Sequence, residues 1–404
     1  MRKLLLLSLF IFSVVNVYSK GALYVQNPKA KLLAEPQMNA EGSLLPLGEK
    51  LTPITEQGLF VQVRTNEKTG WVSKLFVSPL PPSSQIQLGS KSQSVEAVVA
   101  RQRASDFTKT AAARGLSETE KMRVRGGADL YDFESLRWLE SLGTESKVDT
   151  NQTNGTSSTA FAKPEERKVG SVSEETKAEV KVGRSLAARL LRKYPLWKNK
   201  DFTVYLGQVG KQIASNSSRP ELSFTFGVLD TEEVNAFACP GGFILITKGA
   251  LKNIRSESEL AGVLGHEIGH VALFHSGEFI QNNVYLDIIS SLLSPPGAEV
   301  VNQTTANLLD EMEKQLFESG RDSQAEYEAD EAGVVYAGST GYGVAGLSNY
   351  LISLSKLDKA DTLKKTHPDT SSRIAKLVKA EATAQIKNVP SPKERWYRYK
   401  AFLN

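Results

Sequence analysis

The spacing of apolar residues divides the chain into regions, and the first of these has short, partly alternating runs. Two examples are residues 22–25 and 59–63. Turn-favouring pairs, among them Asn27-Pro28 and Gln57-Gly58, separate the runs. Short alternating runs between turns are typical of antiparallel strands, so residues 22–79 are predicted to form a small all-β domain.

Two stretches of this region resemble the bacterial SH3-like fold, in which a hairpin leads into a Gly-Trp-Val strand. They are residues 58–63 (Gly-Leu-Phe-Val-Gln-Val) and 69–72 (Thr-Gly-Trp-Val). The resemblance implies a small barrel with a cell-wall or protein ligand. Trp71 would either stack on that ligand or fill the core or rim of the barrel.

Helical spacing replaces alternation further along the chain. Residues 95–99 and 129–139 carry apolar side chains three and four positions apart, which places them on one face of a helix. Residues 80–143 are therefore predicted to form a linker and a helical spacer, with no chemistry of their own.

A polar linker separates this spacer from the longest patterned region. Residues 144–172 are rich in Thr, Asn, Gln and Ser, which predicts a flexible segment and a domain boundary. Residues 173–387 form the next domain, and residues 388–404 are assigned to a C-terminal tail. Within that domain we predict helices at 173–191, at 202–213 and from Ser256, and strands at 222–229 and 242–247. The predicted fold is multidomain: the SH3-like barrel, a helical spacer, and an α+β, mainly helical domain with a small sheet.

The first residues predict an export signal. Met1-Arg2-Lys3 is positively charged, and the apolar run 4–17 is too short for a good membrane span. Tolerated residues at Val17 and Ser19 predict cleavage after Ser19, so that residues 1–19 form a signal peptide; an uncleaved anchor is the alternative. We therefore expect a periplasmic or cell-envelope protein with at most peripheral membrane contact.

Composition and charge narrow the class of protein. The chain has 404 residues and a net charge of +4, and its basic residues are spread along it, so no nucleic-acid partner is expected. Its single cysteine, Cys239, excludes an internal disulfide. An exported chain without disulfides depends on its core and on any metal that it binds.

Histidine is rare in this chain, yet three of its four histidines lie between residues 266 and 275. Residues 266–270 read His-Glu-Ile-Gly-His, which is an HExxH pattern. On a helix, His266 and His270 share a face and can bind one ion. Zinc suits such a site, and Glu267 can take a proton from a water held there. Ser256 and the acidic residues after it predict the start of that helix.

A catalytic zinc site needs a third protein ligand. His275 is one residue short of the metzincin spacing, and helix geometry turns it about 140° from His270, so we interpret it as a helix-end residue. Glu326 and Asp330 are four positions apart and precede an apolar stretch. Glu326 is a candidate third ligand, and Asp330 a candidate acceptor that orients a ligand histidine. A charged, solvated helix is the alternative.

Four sequence blocks together resemble the HtpX and CAAX-prenyl-protease family of gluzincins, which is family forty-eight of the metallopeptidases. The resemblance is strongest to its periplasmic, BepA- and LoiP-like branch. The blocks are Asn235-Ala236-Phe237-Ala238 with Pro240-Gly241-Gly242, residues 259–271, Glu326 with Ala329-Asp330, and Thr366-His367-Pro368 with Arg373-Ile374.

The resemblance implies one zinc ion per chain, bound by His266, His270 and Glu326, with Glu267 as general base. It also implies that His367, in the His-Pro block, is a candidate fourth ligand that gates the site in a resting state. A structural turn before the last helix is the alternative for His367.

The resemblance further implies a cleft strand on which a substrate adds as an extended strand. Asn235, Gly241 and Gly242 belong to the block that leads into this strand. Cys239, in the same block, is either a metal switch or a small buried residue.

A transition-state oxyanion needs a hydrogen-bond donor besides zinc, and the sequence does not identify this residue. The family often has Ser-Arg just before the glutamate, whereas Asp322-Ser323 stands there in this chain. Tyr327, Tyr336, Arg321 and His367 are all candidates.

The sequence as a whole favours an exported, zinc-dependent metalloendopeptidase. By the resemblance alone, its substrates are unfolded or misassembled envelope proteins. One alternative is a chaperone-like binding protein whose metal centre is kept shut by His367 or by the insert at 276–320. Another is a scaffold whose N-terminal domain is the functional part. The glutamate between the two histidines argues against both, since a pure binder does not need a base there.

Overall fold

A computed structural model describes the chain in eleven segments. They are residues 22–27, 30–37, 40–66, 68–78, 131–145, 174–220, 222–273, 309–314, 321–356, 367–384 and 393–403. The predicted signal peptide, most of the spacer and of the polar linker, and His275 lie outside these segments. Within them, no helix combines the length and the apolar character that crossing a membrane requires.

The N-terminal region forms an all-β sheet. Its strands are β1 (Leu23–Val25), β2 (Lys31–Leu33), β3 (Gly42–Leu44), β4 (Lys50–Gln57), β5 (Phe60–Arg64), β6 (Thr69–Ser73) and β7 (Val77–Ser78), in the order β3-β2-β6-β5-β4-β1-β7. Alternate residues of β5 and β6, including Val61, Val63 and Val72, are buried in one core. The alternation seen in the sequence therefore corresponds to one buried face. Trp71 is half-buried and lies opposite Gln62.

The C-terminal part is mainly helical and carries a small sheet. Its helices are α1 (Phe133–Glu145), α2 (Glu174–Lys193), α3 (Lys200–Ala214), α4 (Lys248–Asn253), α5 (Glu257–Ala272), α6 (Ser323–Ser339), α7 (Gly346–Ser355), α8 (Thr370–Thr383) and α9 (Lys393–Lys400), with a further helical stretch at 309–314. An all-β region followed by a mainly helical α+β part agrees with the multidomain fold expected from the sequence.

The small sheet consists of three strands in the order β8-β10-β9. These are β8 (Thr225–Leu229), β9 (Ala236–Cys239) and β10 (Phe243–Thr247). The central strand β10 is parallel to β8 and antiparallel to β9. The sequence predicted that the strand after Gly242 lines the cleft and pairs with a substrate. That strand is β10, which already pairs with β8 on one side and with β9 on the other. The edge strand that lies beside α5, the HExxH helix, is β9.

Small residues let helices α5 and α6 approach closely. A Cβ atom on Gly333 of α6 would lie 2.8 Å from the backbone nitrogen of His266, and one on Gly269 of α5 would lie 3.0 Å from Ala329 O. Any larger side chain at these positions would force the helices apart. This close contact brings Glu326 of α6 over the histidines of α5.

The final helix packs against the start of α5. Trp396 of α9 is fully buried, and Arg395 forms two hydrogen bonds with the carboxylate of Glu257, in the first turn of α5. Lys400 donates a hydrogen bond to Ile254 O at 2.6 Å. The residues that the sequence assigned to a tail thus include a docked helix.

The N-terminal sheet contacts the helical part at α6. Lys74 donates to Glu328 of α6 at 2.6 Å and lies 2.7 Å from Glu56 of β4. Leu59 and Leu75 of the β region are buried in the core of the helical part. The β region therefore packs directly on the helix that carries Glu326.

Candidate metal centre

Two histidines of α5 form one side of the site. His266 and His270 lie one helical turn apart, and their Nε2 atoms are 3.1 Å from each other. Both side chains are buried. The side chain of Ser256 accepts a hydrogen bond from Glu259 N–H, which confirms the capped, acidic first turn expected from the sequence.

Glu326 of α6 faces these histidines and is fully buried. Its Oε1 lies 3.3 Å from His270 Nε2, and its Oε2 lies 3.7 Å from His266 Nε2. The three side chains offer ligand atoms that all lie within 4.8 Å of one another. The structure thus brings together three residues that the sequence singled out from two distant blocks.

The spacing of these atoms fits a zinc ion. Tetrahedral bonds of about 2.0–2.1 Å put neighbouring ligand atoms about 3.3–3.4 Å apart. The observed separations of 3.1, 3.3 and 3.7 Å are close to that value. Among the described residues, neither carboxylate oxygen of Glu326 accepts a hydrogen bond, although both are buried. A buried ionised carboxylate is stabilised by a cationic partner or by metal coordination, so this site suits a metal.

Burial and nearby charges set the protonation of the candidate ligands. Burial moves the pKa of His270 well below its usual value, and the positive charge of Arg321 lowers it further. For Glu326, burial acts to raise the pKa, but the imidazoles of His367 and His270 outweigh it and hold the pKa well below its usual value. A neutral imidazole and an ionised carboxylate are the forms that bind a metal.

Asp330 and Arg373 support His266 from behind. Asp330 Oδ1 lies 2.8 Å from His266 Nδ1. The guanidinium of Arg373 donates to both oxygens of Asp330, at 2.9 and 2.6 Å. Burial acts to raise the pKa of Asp330, but the charge of Arg373 and the contact with His266 keep it below its usual value. An ionised Asp330 fixes the Nδ1–H tautomer of His266 and leaves Nε2 as the donor atom.

Arg373 is a site residue that the sequence reasoning did not single out. It lies in the same block as His367 and supported only the family resemblance. It is 3% exposed, and its Nη2 lies 3.4 Å from His266 Nδ1. The arginine in that block could have indicated a buried carboxylate partner. Arg373 and Asp330 are far apart in the sequence, so no local pattern identified them as a pair.

Glu267 lies beside the ligand cluster. It is buried, and its Oε2 has no hydrogen-bond partner among the described residues. His266, Glu267 and His367 offer atoms that lie within 4.8 Å of one another. Burial raises the pKa of Glu267, while the charges of His266 and Arg321 oppose that rise. A carboxylate with a raised pKa is a better proton acceptor in a hydrolytic site.

His367 lies beside Glu326 and His266. Its Nε2 is 3.6 Å from Glu326 Oε2, and its ring centre is 5.9 Å from that of His266. Burial lowers the pKa of His367 to about 4, although the charge of Glu326 opposes this. His367 is thus a neutral imidazole near the same centre at neutral pH.

The backbone of β9 borders the site. Its pairing with β10 turns the N–H and C=O groups of Ala236 and Ala238 away from β10. Asn235 Oδ1 accepts from Ala236 N–H at 2.9 Å, and Arg321 Nη2 donates to Ala238 O at 2.9 Å. Asn235 therefore lies at the outward edge of this strand.

Gly241 and Gly242 form the buried turn between β9 and β10. Both have positive φ angles, 70° and 97°, which glycine adopts without strain. Gly241 N–H donates to Glu179 at 3.0 Å, and Glu179 forms a fully buried ion pair with Arg219. This pair connects α2 to the turn, and no local sequence pattern indicated it.

The two candidate tyrosines contact other side chains, and the candidate cysteine is buried. Tyr336 is fully buried, and its hydroxyl lies 3.4 Å from Ser218 Oγ. The ring of Tyr327 lies 3.1 Å below Lys376 Nζ. Burial raises the pKa of Cys239 to about 12. Full burial and a raised pKa favour the interpretation of Cys239 as a small buried residue.

Comparison with known proteins agrees with this geometry. Residues 202–381 match the model of Peptidase family M48. The mitochondrial metalloendopeptidase OMA1 of Arabidopsis thaliana is 28% identical over 172 residues, which cover 42% of this chain and 34% of that protein. The beta-barrel assembly-enhancing protease of Escherichia coli (strain K12) is 26% identical over 214 residues, 49% of this chain and 42% of that protein.

A shorter relative is matched over more of its length. Metalloprotease LoiP of Escherichia coli (strain K12) is 25% identical over 177 residues, 43% of this chain and 69% of that protein. The chain spans less than half the length of the first two relatives. The family match at residues 202–381 covers the part of the chain that carries the candidate metal centre.

Proposed function

We propose, from the premise that residues 202–381 are a domain of peptidase family M48, that this chain is an exported, zinc-dependent metalloendopeptidase. The observation that carries the proposal is the convergence of His266, His270 and Glu326, with Glu267 beside them. A carboxylate next to a three-ligand site is the arrangement that zinc-dependent hydrolysis of a peptide bond uses.

His266, His270 and Glu326 would hold the zinc ion. Once bound, the ion would polarise the scissile carbonyl and make a water molecule more acidic. Glu267 takes a proton from that water and passes it to the amine nitrogen as the C–N bond breaks. Asp330 keeps His266 in the required tautomer, and Arg373 keeps Asp330 ionised.

The substrate would bind as an extended strand along β9. A substrate strand would pair with Ala236 C=O and Ala238 N–H, the outward groups that Asn235 and Arg321 do not occupy. This pairing involves only the backbone, so any unfolded segment could bind there. Asn235 would help to place the strand, and the turn at Gly241 and Gly242 would hold β9 in position. Unfolded or misassembled envelope proteins are the substrates that we propose, in line with the name of the beta-barrel assembly-enhancing relative.

The N-terminal β domain would act as a targeting module. We propose that it is SH3-like and binds a cell-wall or protein ligand, and that the signal peptide of the exported chain is cleaved after Ser19. Its contact with α6 through Lys74 and Glu328 would keep the peptidase domain close to whatever the β domain binds.

A gated form of the same site is the second candidate. His367 Nε2 lies 3.6 Å from Glu326 Oε2, so His367 could serve as a fourth ligand that closes the site. In that case the protein would bind clients without cleaving them until His367 moves. Cleavage that appears only in His367→Ala would favour this candidate.

The test of the main proposal replaces the base. Glu267→Gln should keep about one zinc ion per chain and lose cleavage of an unfolded protein substrate such as casein, because the amide cannot take the proton. Glu232→Gln makes the same chemical change at a side chain that is 71% exposed, and it should cleave like the wild type. Equal cleavage by Glu267→Gln and the wild type would refute the enzyme proposal.

A further inference from the structure

Arg321 precedes α6 and reaches across to the edge of the cleft. Its Nη2 donates a hydrogen bond to Ala238 O at 2.9 Å. Ala238 is one of the two residues of β9 whose backbone groups face away from β10. The guanidinium therefore lies on the side of β9 along which a substrate strand would pass.

The guanidinium of Arg321 still has a donor to offer. Its Nε is buried and has no hydrogen-bond partner among the described residues. Leaving a buried N–H group without an acceptor is unfavourable, so this donor is suited to an acceptor that arrives with a ligand. Arginine carries five N–H donors in a fixed fork, so one can be anchored while another binds.

The positive charge of Arg321 acts on residues from two sides of the metal centre. It opposes the burial that raises the pKa of Glu267 on α5, and it adds to the burial that lowers the pKa of His270. It also contributes to the lowered pKa of His367, which lies just before α8. The cation therefore faces the place where these residues converge.

The other candidate donors contact other side chains. Tyr336 lies against Ser218, and Tyr327 lies under Lys376. His367 is directed to Glu326, which is one of the candidate ligands. Arg321 combines an anchor on β9 with a buried donor, Nε, for which the described part of the chain offers no acceptor.

We propose that Arg321 is a further catalytic residue, which donates a hydrogen bond to the scissile carbonyl oxygen as that oxygen becomes an oxyanion. The inference rests on the proposed peptidase function. The water oxygen bonds to the carbonyl carbon, and the π pair moves onto the carbonyl oxygen. Glu267 carries the water proton to the amine nitrogen, the C–N bond breaks, and the carbonyl forms again. Arg321 keeps its protons throughout.

The anchor on Ala238 explains why this donor would be effective. A donor that is already held in place does not have to reorganise when charge develops on the substrate. Because the same strand would bind the substrate, the position of Arg321 is fixed relative to the scissile bond. Its interaction strengthens as the oxygen becomes negative, so it favours the transition state over the bound substrate.

The test compares Arg321→Gln with the wild type in cleavage of an unfolded peptide. We expect kcat to fall about 10²–10³-fold with little change in KM, as for the loss of one oxyanion donor. Zinc content should stay at the wild-type value. Arg321→Lys, which keeps the charge, should recover part of the rate. Arg398→Gln, at an exposed residue of α9, is the matched control and should cleave like the wild type.

Two binding measurements separate this role from a structural one. A phosphinic peptide, which mimics the tetrahedral intermediate, should bind Arg321→Gln more weakly by about the same factor as the loss in kcat. An ordinary peptide should bind Glu267→Gln and the double variant Glu267→Gln/Arg321→Gln with similar affinity, because the neutral carbonyl gains little from the donor.

Three outcomes would overturn the assignment of Arg321. They are unchanged cleavage by Arg321→Gln, a rise in KM alone, and loss of zinc from the variant. A wild type that does not cleave would refute the proposed function, and this inference with it. The wild type and Arg398→Gln, measured in the same assay, distinguish that failure from a failure of the inference alone.

Discussion

The buried contact between Asp330 and Arg373 makes Asp330→Asn an informative perturbation. The asparagine keeps the shape of the side chain and can still accept from His266 Nδ1–H, but it loses the charge. Arg373, which is 3% exposed, then has no carboxylate partner at that position. Zinc affinity and the stability of the metal-free protein should therefore both fall.

The size of each effect follows from the contacts. Loss of a carboxylate that orients a ligand histidine lowers metal affinity by about 10–100-fold, which corresponds to about 1.4–2.7 kcal/mol. Removing one partner of a buried ion pair costs about 3–5 kcal/mol of unfolding free energy. Because the asparagine oxygen remains an acceptor, we expect the lower end, about 3 kcal/mol.

The assays are competition with a chromophoric zinc chelator and urea unfolding of metal-free protein. Asp201→Asn, the same chemical change at an exposed residue of α3, is the control and should change neither quantity much. The double variant Asp330→Asn/Arg373→Met should be less destabilised than the sum of the two single variants, since it leaves no buried charge unpaired. If Asp330→Asn binds zinc within twofold of the wild type, the role given to Asp330 is wrong.

Three further predictions concern the packing around the site. Gly333→Leu should push α6 away from α5, where a Cβ would lie 2.8 Å from the backbone of His266, and should abolish zinc binding in a metal titration; wild-type affinity would contradict this. The thiol of Cys239, with a pKa of about 12, should not react with Ellman's reagent in the native protein and should react fully in urea; rapid native labelling would contradict its burial. Trp396→Ala should lower the unfolding free energy by about 3–5 kcal/mol in urea unfolding, because Trp396 is fully buried; a loss under 1 kcal/mol would mean that α9 is not docked.

Local patterns in the sequence predicted the parts of the site that depend on local geometry. The helix that carries His266 and His270 was predictable because its cap, its apolar run and its four-residue spacing all lie within one short segment. Glu326 and Asp330 were found in the same way, since they lie one turn apart on α6. That α5 and α6 pack face to face was implied only by the family resemblance.

Pairings between distant segments could not be read from the sequence. The order of the small sheet depends on which strands pair, so the edge position of β9 became visible only in the fold. The same is true of Arg373 with Asp330 and of Arg219 with Glu179, which join residues far apart along the chain. The docked helix α9 was assigned to a tail because its apolar residues are few and only the buried Trp396 shows that it packs.

Zinc content is the most direct test of the central claim. Metal analysis of the purified wild type should give about one zinc ion per chain, and Glu326→Gln should lose most of it because a neutral amide is a poor zinc ligand. Glu328→Gln, two residues along α6 at the contact with Lys74, should retain the ion. A wild type without zinc, or Glu326→Gln with a full complement of zinc, would contradict the assignment of His266, His270 and Glu326 as the metal site.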